Sequence, residues 1–159
     1  MSDFGDDDYV DIQPWTDRSE RLRVTIRGLE NTPYEQGKFV FEIRIPFNYP
    51  YNPPWCFCHT PIWHPNIDTS LPAGSPNICL ALINPDLVGK GDPQTGASGW
   101  VPSKTLTNVI KALKGLIHMQ PPFWDPNNPL NKEAGDMYFN DPLTFDIKAR
   151  EWTAKYASR

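Results

Sequence analysis

A cysteine and a His-Pro-Asn turn are the residues of this chain best suited to covalent chemistry. Cys79 follows the tripeptide His64-Pro65-Asn66 within one irregular stretch of sequence. The proline fixes its own φ angle and removes a backbone donor, so its neighbours are held in a turn. An amide held there could donate to an oxygen that becomes negative during acyl transfer, and a thiolate could carry the acyl group as a thioester. The pattern therefore favours acyl transfer through Cys79, with Asn66 as a donor.

Each of these residues also has a purely structural interpretation. Cys79 stands between Ile78 and Leu80, where a buried small apolar residue would fit equally well. Asn66 is a residue type that often bonds its own backbone in a turn. We expect His64 to bond the backbone of the turn rather than to act as a base. A general base is not required if the incoming amine is desolvated, because desolvation lowers its pKa.

The other two cysteines, Cys56 and Cys58, form a Cys-x-Cys pattern beside His59. We expect their side chains on opposite faces of a strand, a poor arrangement for joint metal binding, and no fourth ligand is evident. We therefore predict structural cysteines, with no metal and no bound cofactor. An odd cysteine count without a secretory leader indicates reduced thiols, so we expect a cytoplasmic location, a nuclear one, or both.

Composition limits the organisation and the partners of the chain. It has 159 residues, of which 39% are hydrophobic and 13% aromatic, as in one ordered domain. The net charge of −4 gives no basic excess, so we expect no nucleic-acid partner. No stretch approaches the roughly 20 apolar residues that span a bilayer, so we expect no membrane partner. We predict an acidic flexible leader at 1–8 and a single domain at 9–159, acting as a monomer.

The elements that must position these residues are strands first and helices afterwards. Alternating apolar and polar residues predict strands near 10–13, 22–27, 38–45 and 55–59. Helical spacing then predicts a helix that opens at 103–106 and stops at Pro121-Pro122, and shorter helices near 131–139 and 143–156. We therefore predict an α+β fold, with a four-stranded antiparallel meander packed on helices. The long stretch 60–102 shows no periodicity, and loops of that length are usually functional.

A set of short motifs in this chain resembles, in order and spacing, the catalytic domain of ubiquitin-conjugating enzymes. The motifs are a proline-rich run within 39–54, Ile62–Ile67 around the His-Pro-Asn turn, Ile78-Cys79-Leu80, Gly99-Trp100-Val101-Pro102, Asp125–Leu130 and Ala149–Ala157. The resemblance covers about 25–157 of the sequence, and an ordered set of this kind is specific. It implies the UBC fold and an acyltransferase that carries ubiquitin as a cysteine thioester.

The resemblance assigns a role to each candidate residue. Cys79 falls at the thioester cysteine, and Asn66 matches an asparagine assigned either to stabilising the oxyanion or to ordering the neighbouring loop. Asn128 stands where members commonly carry an acidic residue beside the thioester, and with His64 it completes the predicted catalytic set. Ligase docking is implied at a second set of residues: Tyr51, Pro102 and Ser103. The implied partners are ubiquitin or a ubiquitin-like modifier, an activating enzyme, and a RING-type or other ligase.

The chain departs from the family pattern at three places. The basic amphipathic helix that usually opens the domain is not evident, which indicates truncation or a different docking mode. Asn128 is an amide, so Asp125, Asp86 or Asp92 would have to supply negative charge. An insert at 84–99 contains four glycines and one apolar pair, and we predict a mobile flap within reach of the incoming lysine. A bland surface insertion is the alternative.

Three other functions compete with ubiquitin transfer. Asp125–Ala134 and Gly99-Trp100 look like the branch that carries Nedd-type modifiers, whereas Ala149–Ala157 looks like the ubiquitin branch. A non-catalytic variant that only binds modifiers would lack the active-site cysteine, so Cys79 argues against it. A generic α+β interaction domain would leave the proline-rich run and the long loop unexplained.

Overall fold

The computed structural model describes residues 7–15, 20–93 and 95–158. Its first layer is a four-stranded antiparallel sheet in the order β1-β2-β3-β4. The strands are β1 Val10–Pro14, β2 Arg21–Arg27, β3 Lys38–Arg44 and β4 Trp55–Cys58. The predicted meander is therefore confirmed. Most of the predicted acidic leader lies outside the described residues; within it, the Asp7 carboxylate accepts a 2.7 Å bond from Lys114 Nζ. The domain boundary at residue 9 stays a prediction.

Three helices follow the sheet in the chain, and the first of them packs against β2, which confirms the α+β class. They are α1 Leu106–Ile117, α2 Lys132–Asn140 and α3 Pro142–Tyr156. α1 begins at Leu106 because Thr105 and Asn108 form a reciprocal capping box. Its apolar face is buried in the core: Val109, Ile110, Leu113, Leu116 and Ile117. None of the helices within the described ranges is long and apolar enough to cross a membrane.

The expectation that Cys56 and Cys58 face opposite sides of their strand is wrong. Residues two apart on a strand share a face, because side chains alternate with a period of two. Cys56 lies opposite Ile43 and Cys58 lies opposite Phe41, and both cysteines are buried in the core. Burial raises the pKa of the Cys58 thiol to about 12 and that of Cys56 still further. We therefore interpret both as structural cysteines, as predicted, but because they are buried and not because they face opposite sides.

The outer face of the sheet carries a buried charge, Glu42. Its carboxylate accepts hydrogen bonds from Arg44 and Arg21 and lies 2.8 Å from His59 Nε2. Burial alone would raise its pKa, but the bonds from Arg44, Arg21 and His59 outweigh burial and lower it to about 2. The sheet is thus held by a backbone ladder, an apolar inner face and one charge cluster.

The β4–α1 segment, residues 59–105, contains more structure than its sequence predicts. It begins with a small hairpin, β5 Trp63–His64 and β6 Ile67–Asp68, whose turn holds the His-Pro-Asn motif. An antiparallel bridge then joins Ile67 to Ile78 and brings the chain back to Cys79. Single 3-10 turns follow at Ala81–Ile83 and Pro85–Leu87. Two-residue strands are too short for periodicity to reveal, so the sequence analysis missed them.

Candidate active site

Cys79 is held by its backbone and presents its thiol to the surface. Its N–H donates to the carbonyl of Asn66 over 2.8 Å, so the cysteine and the His-Pro-Asn turn are locked together. Ile78 and Leu80 point inward and are buried, whereas Cys79 between them is exposed. Cys79 is therefore not the buried small apolar residue of the structural alternative. This backbone hydrogen bond places a nucleophilic side chain where a second protein can reach it.

Asn66 joins the turn to the loop that follows α1. Its side chain is buried, with Nδ2 donating to the carbonyls of Asp125 at 2.8 Å and Asn128 at 3.4 Å. Its Oδ1 accepts from the Asp125 N–H at 2.9 Å. Every polar atom of the amide is thus engaged with that loop. Of the two roles implied by the family resemblance, this geometry supports the ordering of the loop.

His64 is a buried structural residue of the same turn. Its Nδ1 accepts from the Asn66 N–H at 2.9 Å, so Nε2 carries the proton and donates to the Leu116 carbonyl at 2.8 Å. Burial lowers the pKa of His64 to about 4, although the bond to Leu116 works in the opposite direction. The ring is therefore neutral at physiological pH with both nitrogens occupied. This geometry supports the expectation that His64 bonds backbone rather than acting as a base.

Asn128 lies beside the thiol, as the motif spacing implies. Its carbonyl is 4.0 Å from Cys79 Sγ, and its Nδ2 donates to the Asp125 carboxylate at 3.0 Å. The pKa of Cys79 is raised by burial first, then by the negative charges of Asp125 and Asp92. Although the side chain is exposed, protein atoms crowd one side of the sulfur. The resting thiol is consequently protonated at neutral pH, and an acid–base event must precede its attack.

Two clefts meet at the thiol. The acidic cleft, about 510 Å³, lies between β4 and the insert, and its wall includes Trp55, Leu87 and Asp86. The helix cleft, about 320 Å³, lies towards α1, and its wall includes Asn108 and Lys111. Four residues line both clefts: Cys79, Leu80, Ala81 and Asp92. The thiol can therefore be approached from two sides, as an acyl carrier requires.

Backbone bonds close the insert at 84–99 on itself, with residue 94 lying outside the described residues, and its motion as a flap stays a prediction. A bridge pairs Gly91 with Ser98, and the Gly99 N–H donates to the Lys90 carbonyl at 2.8 Å. A Cβ at Gly99 would lie 1.9 Å from the Leu87 carbonyl oxygen, so only glycine fits at this position. The Gly89 N–H donates to the Trp100 carbonyl at 2.8 Å, which ties the insert to the core. Asp92 therefore has a defined place beside the thiol.

Comparison with known proteins assigns this arrangement of an exposed thiol between two clefts to one enzyme family. The profile of the ubiquitin-conjugating enzyme family matches residues 5–153. The chain belongs to this family. It is 32% identical over 160 residues to ubiquitin-conjugating enzyme E2 1 of Schizosaccharomyces pombe, covering 99% of this chain and 64% of the relative. It is 39% identical over 142 residues to ubiquitin-conjugating enzyme E2 T of Bos taurus, covering 89% of this chain and 63% of the relative.

Solved structures of the ubiquitin-conjugating enzyme family share its fold. The E2 domain of a Toxoplasma gondii ubiquitin conjugating enzyme matches with a TM-score of 0.75 at 29% identity, over 99% of this chain and 93% of that one. The UBC fold predicted from the motifs is thereby confirmed. The chain spans just under two thirds of the length of the two curated relatives, 64% and 63%.

The residues that the family resemblance implies for ligase docking lie apart from the two clefts. Tyr51, Pro102 and Ser103 are exposed, and none of them lines either cleft. Two neighbouring residues join their loops, because the Trp100 indole N–H donates to the Pro50 carbonyl at 2.7 Å. The structure thus brings the three residues onto two linked loops, while their role stays a prediction.

The helix cleft is not indicated by the sequence. Asn108 and Lys111 stand three residues apart on the solvent side of α1, where polar residues are ordinary. Nothing in their type or spacing distinguishes them from a solvated face, so no sequence signal could have found them. Metal binding is not indicated either: within the described part of the chain, no group of three or more His, Cys, Asp or Glu side chains could hold an ion.

Proposed function

We propose that this protein accepts ubiquitin from an activating enzyme as a thioester on Cys79 and transfers it to a lysine. In the first step, the Cys79 thiol loses a proton and its sulfur attacks the carbonyl carbon of the activating enzyme's thioester. A new C–S bond forms and the donor thiolate leaves. In the second step, a neutral lysine amine attacks the same carbon, a C–N bond forms, and Cys79 departs as a thiolate. The proton that the amine loses passes to solvent or to the thiolate.

The observation that carries this proposal is the place of Cys79 between two clefts. Of the three cysteines, it alone is exposed. One cleft can hold the tail of the modifier while the other admits the acceptor, so both substrates reach the same sulfur. The amide of Asn66 fixes the loop that forms the far wall. In the proposed mechanism, the protein contributes position and a reactive leaving group, and the chemistry needs no metal or cofactor.

The partners proposed for this activity follow from family membership. They are ubiquitin, an activating enzyme, and a RING-type or other ligase docking at Tyr51, Pro102 and Ser103. We place the protein in the cytoplasm, the nucleus or both, because its three cysteines form no disulfide.

The decisive experiment is a charging assay. The purified protein is incubated with activating enzyme, ATP and ubiquitin, and in parallel with a Nedd-type modifier. We expect an adduct with ubiquitin that thiol reductants cleave. Cys79→Ser should form a reductant-stable oxygen ester or no adduct, while Cys56→Ala and Cys58→Ala should charge normally. An adduct that survives in Cys79→Ala and disappears in Cys58→Ala would overturn the assignment. Charging by the Nedd-type modifier alone would replace the proposed substrate.

A further inference from the structure

We infer that the acidic cleft is a recognition site for the acceptor, and that it selects a lysine flanked by apolar residues. This inference rests on the proposed function and names the substrate class of the same thiol. The acidic cleft has two walls. One wall belongs to β4 and the residues before it, with Pro54, Trp55 and Phe57. The other belongs to the insert, with Ile83 and Leu87.

The charge of the two clefts decides which one receives the acceptor. Asp86 and Asp92 line the acidic cleft, and no Lys, Arg or His side chain lines it among the residues that the structure describes. The helix cleft also carries two carboxylates, Asp92 and Asp125, but Lys104 and Lys111 offset them. An acceptor lysine arrives as a cation, so the acidic cleft attracts it and the helix cleft does not. The extended tail of the modifier would then bind in the helix cleft.

The size and lining of the acidic cleft require more than one side chain. At about 510 Å³ it lies within the range of ligand pockets, whereas a lysine brings only a thin four-carbon stem and its ammonium. The Trp55 side chain is 55% exposed, which leaves apolar surface uncovered when only the lysine is bound. Leu87 is half-buried on the opposite wall. A leucine or similar residue beside the acceptor lysine would cover both surfaces and remove them from water.

Two peptides test this inference on the charged protein. Each contains one lysine, flanked on both sides by leucine in the first peptide and by serine in the second. Discharge of the Cys79 adduct is followed under single-turnover conditions, with free lysine as a reference acceptor. We expect the leucine peptide to react about tenfold faster than the serine peptide. In Leu87→Ser this ratio should fall to about two, with each peptide rate expressed relative to the discharge of the same variant to free lysine.

Matched controls separate recognition from general damage. Leu143 is an exposed leucine on α3 that lines neither cleft, so Leu143→Ser should keep the tenfold ratio. Asp86→Asn should slow both peptides severalfold, whereas Asp136→Asn on α2 should slow neither. Equal rates for the two peptides on the unaltered protein would overturn the inference. A Leu87→Ser variant that charges slowly but keeps the peptide ratio would overturn it too, since the modifier tail would then occupy the cleft.

A binding measurement keeps this inference distinct from the proposed function. The uncharged protein is titrated with each peptide while the indole N–H resonance of Trp55 is followed by NMR. We expect the leucine peptide to shift it at lower concentration than the serine peptide, and this difference to be lost in Leu87→Ser. If the protein fails to charge but this difference is found, the proposed function fails and the recognition site stands. If the protein charges but neither peptide shifts Trp55, the recognition site fails alone.

Discussion

The sheet and the β4–α1 segment are held together in different ways. In the sheet, every residue of β2 pairs with one of β3, so the backbone ladder is repeated and no single side chain is essential to it. In the β4–α1 segment, amide side chains take over this role. Asn77 bonds both the N–H and the carbonyl of Cys58, and Asn66 bonds both groups of Asp125. Each amide makes the pair of bonds that a ladder residue would make, Asn77 with the last residue of β4 and Asn66 with the loop that follows α1.

This difference explains how an irregular segment can hold a reactive group. On the inner face of a sheet Cys79 would be buried, as Cys56 and Cys58 are. A pair of bonds from one amide side chain needs only one residue, so the chain between two such residues is free to turn outward. The position of the thiol consequently depends on a few individual bonds, and it should be sensitive to single substitutions that the sheet would tolerate.

The reactivity of the three thiols should show the largest contrast between the two regions. With iodoacetamide under native conditions, we expect Cys79 to be alkylated more than a thousandfold faster than Cys56 and Cys58. The buried pair react only through opening of the core, which costs several kcal/mol. Mass spectrometry of the peptides measures the three rates. In urea all three should react alike, and a fast Cys58 in the native protein would contradict the buried sheet assigned to it.

Acid should weaken the two regions in different pH windows. The pKa of His64 in the fold is about 4, below the ordinary value of 6.5, so the unfolded state binds the proton first. Stability is therefore full above about pH 6.5 and falls as the pH drops towards 4, by about 3 kcal/mol in all. The pKa of Glu42 in the fold is about 2, below its ordinary value, so its ionised form stabilises the fold. This contribution to stability is lost only as the pH falls from about 4.5 to 2.

Urea unfolding at pH 7, 6, 5 and 4 measures the first window. Burial also lowers the pKa of His118, so both histidines contribute to the pH dependence of stability. The imidazole resonances of His64, followed by NMR, show how much of that dependence is due to His64. A free energy of unfolding that stays flat from pH 7 to pH 4.5, or an imidazole of His64 that protonates near pH 6.5, would show that the turn is less buried than described.

The two amide side chains provide the next comparison. Asn66→Ala removes the bonds to Asp125 and should slow discharge to free lysine about a hundredfold, because the wall beside the thiol is misplaced. Asn77→Ala removes an equivalent pair of bonds on Cys58, and neither of these two residues lines a cleft. It should lower stability by a similar amount, about 1–3 kcal/mol, with discharge nearly unchanged. Single-turnover discharge and urea unfolding give the two quantities.

Asn66→Ala also separates the two roles that the family resemblance implies. If Asn66 orders the loop, hydrogen exchange at 125–130 should rise in the variant. If exchange there is unchanged while discharge alone slows, the amide acts on the oxyanion after all. Similar slowing of discharge by Asn77→Ala would remove the distinction between the two amides, since both losses would then act through general stability.

The same contrast shows how far the sequence could predict the structure. Periodicity located the four strands and three helices, because a repeated pattern leaves a repeated signal. In the β4–α1 segment, Cys79 and Asn66 could be named from their types and motif, but the bond from Asn66 to Asp125 joins residues 59 positions apart and leaves no local signal. The helix cleft was missed for the same reason. The backbone bonds of the insert were not predicted either, because glycine indicates flexibility in a sequence even where, as at Gly99, it permits close packing.

The smallest expected effect tests whether the insert acts on the thiol. Burial raises the pKa of Cys79 first, and the negative charges of Asp125 and Asp92 raise it further. Asp92→Asn removes one of these charges, so the thiolate is favoured and the pKa should fall. At pH 7.5 we expect iodoacetamide to alkylate Cys79 roughly two- to threefold faster than in the unaltered protein. The dependence of this rate on pH gives the pKa directly.

The same substitution should act in the opposite direction on transfer. Asp92 lines the acidic cleft, so its loss should weaken the attraction of a lysine cation even as the thiol becomes more reactive. Alkylation should therefore rise while discharge to lysine falls, a divergence that no general change in stability produces. Asp136→Asn on α2 removes the same charge at a residue that lines neither cleft and should change neither rate. An unchanged pKa in Asp92→Asn would mean that the insert only covers the surface beside Cys79.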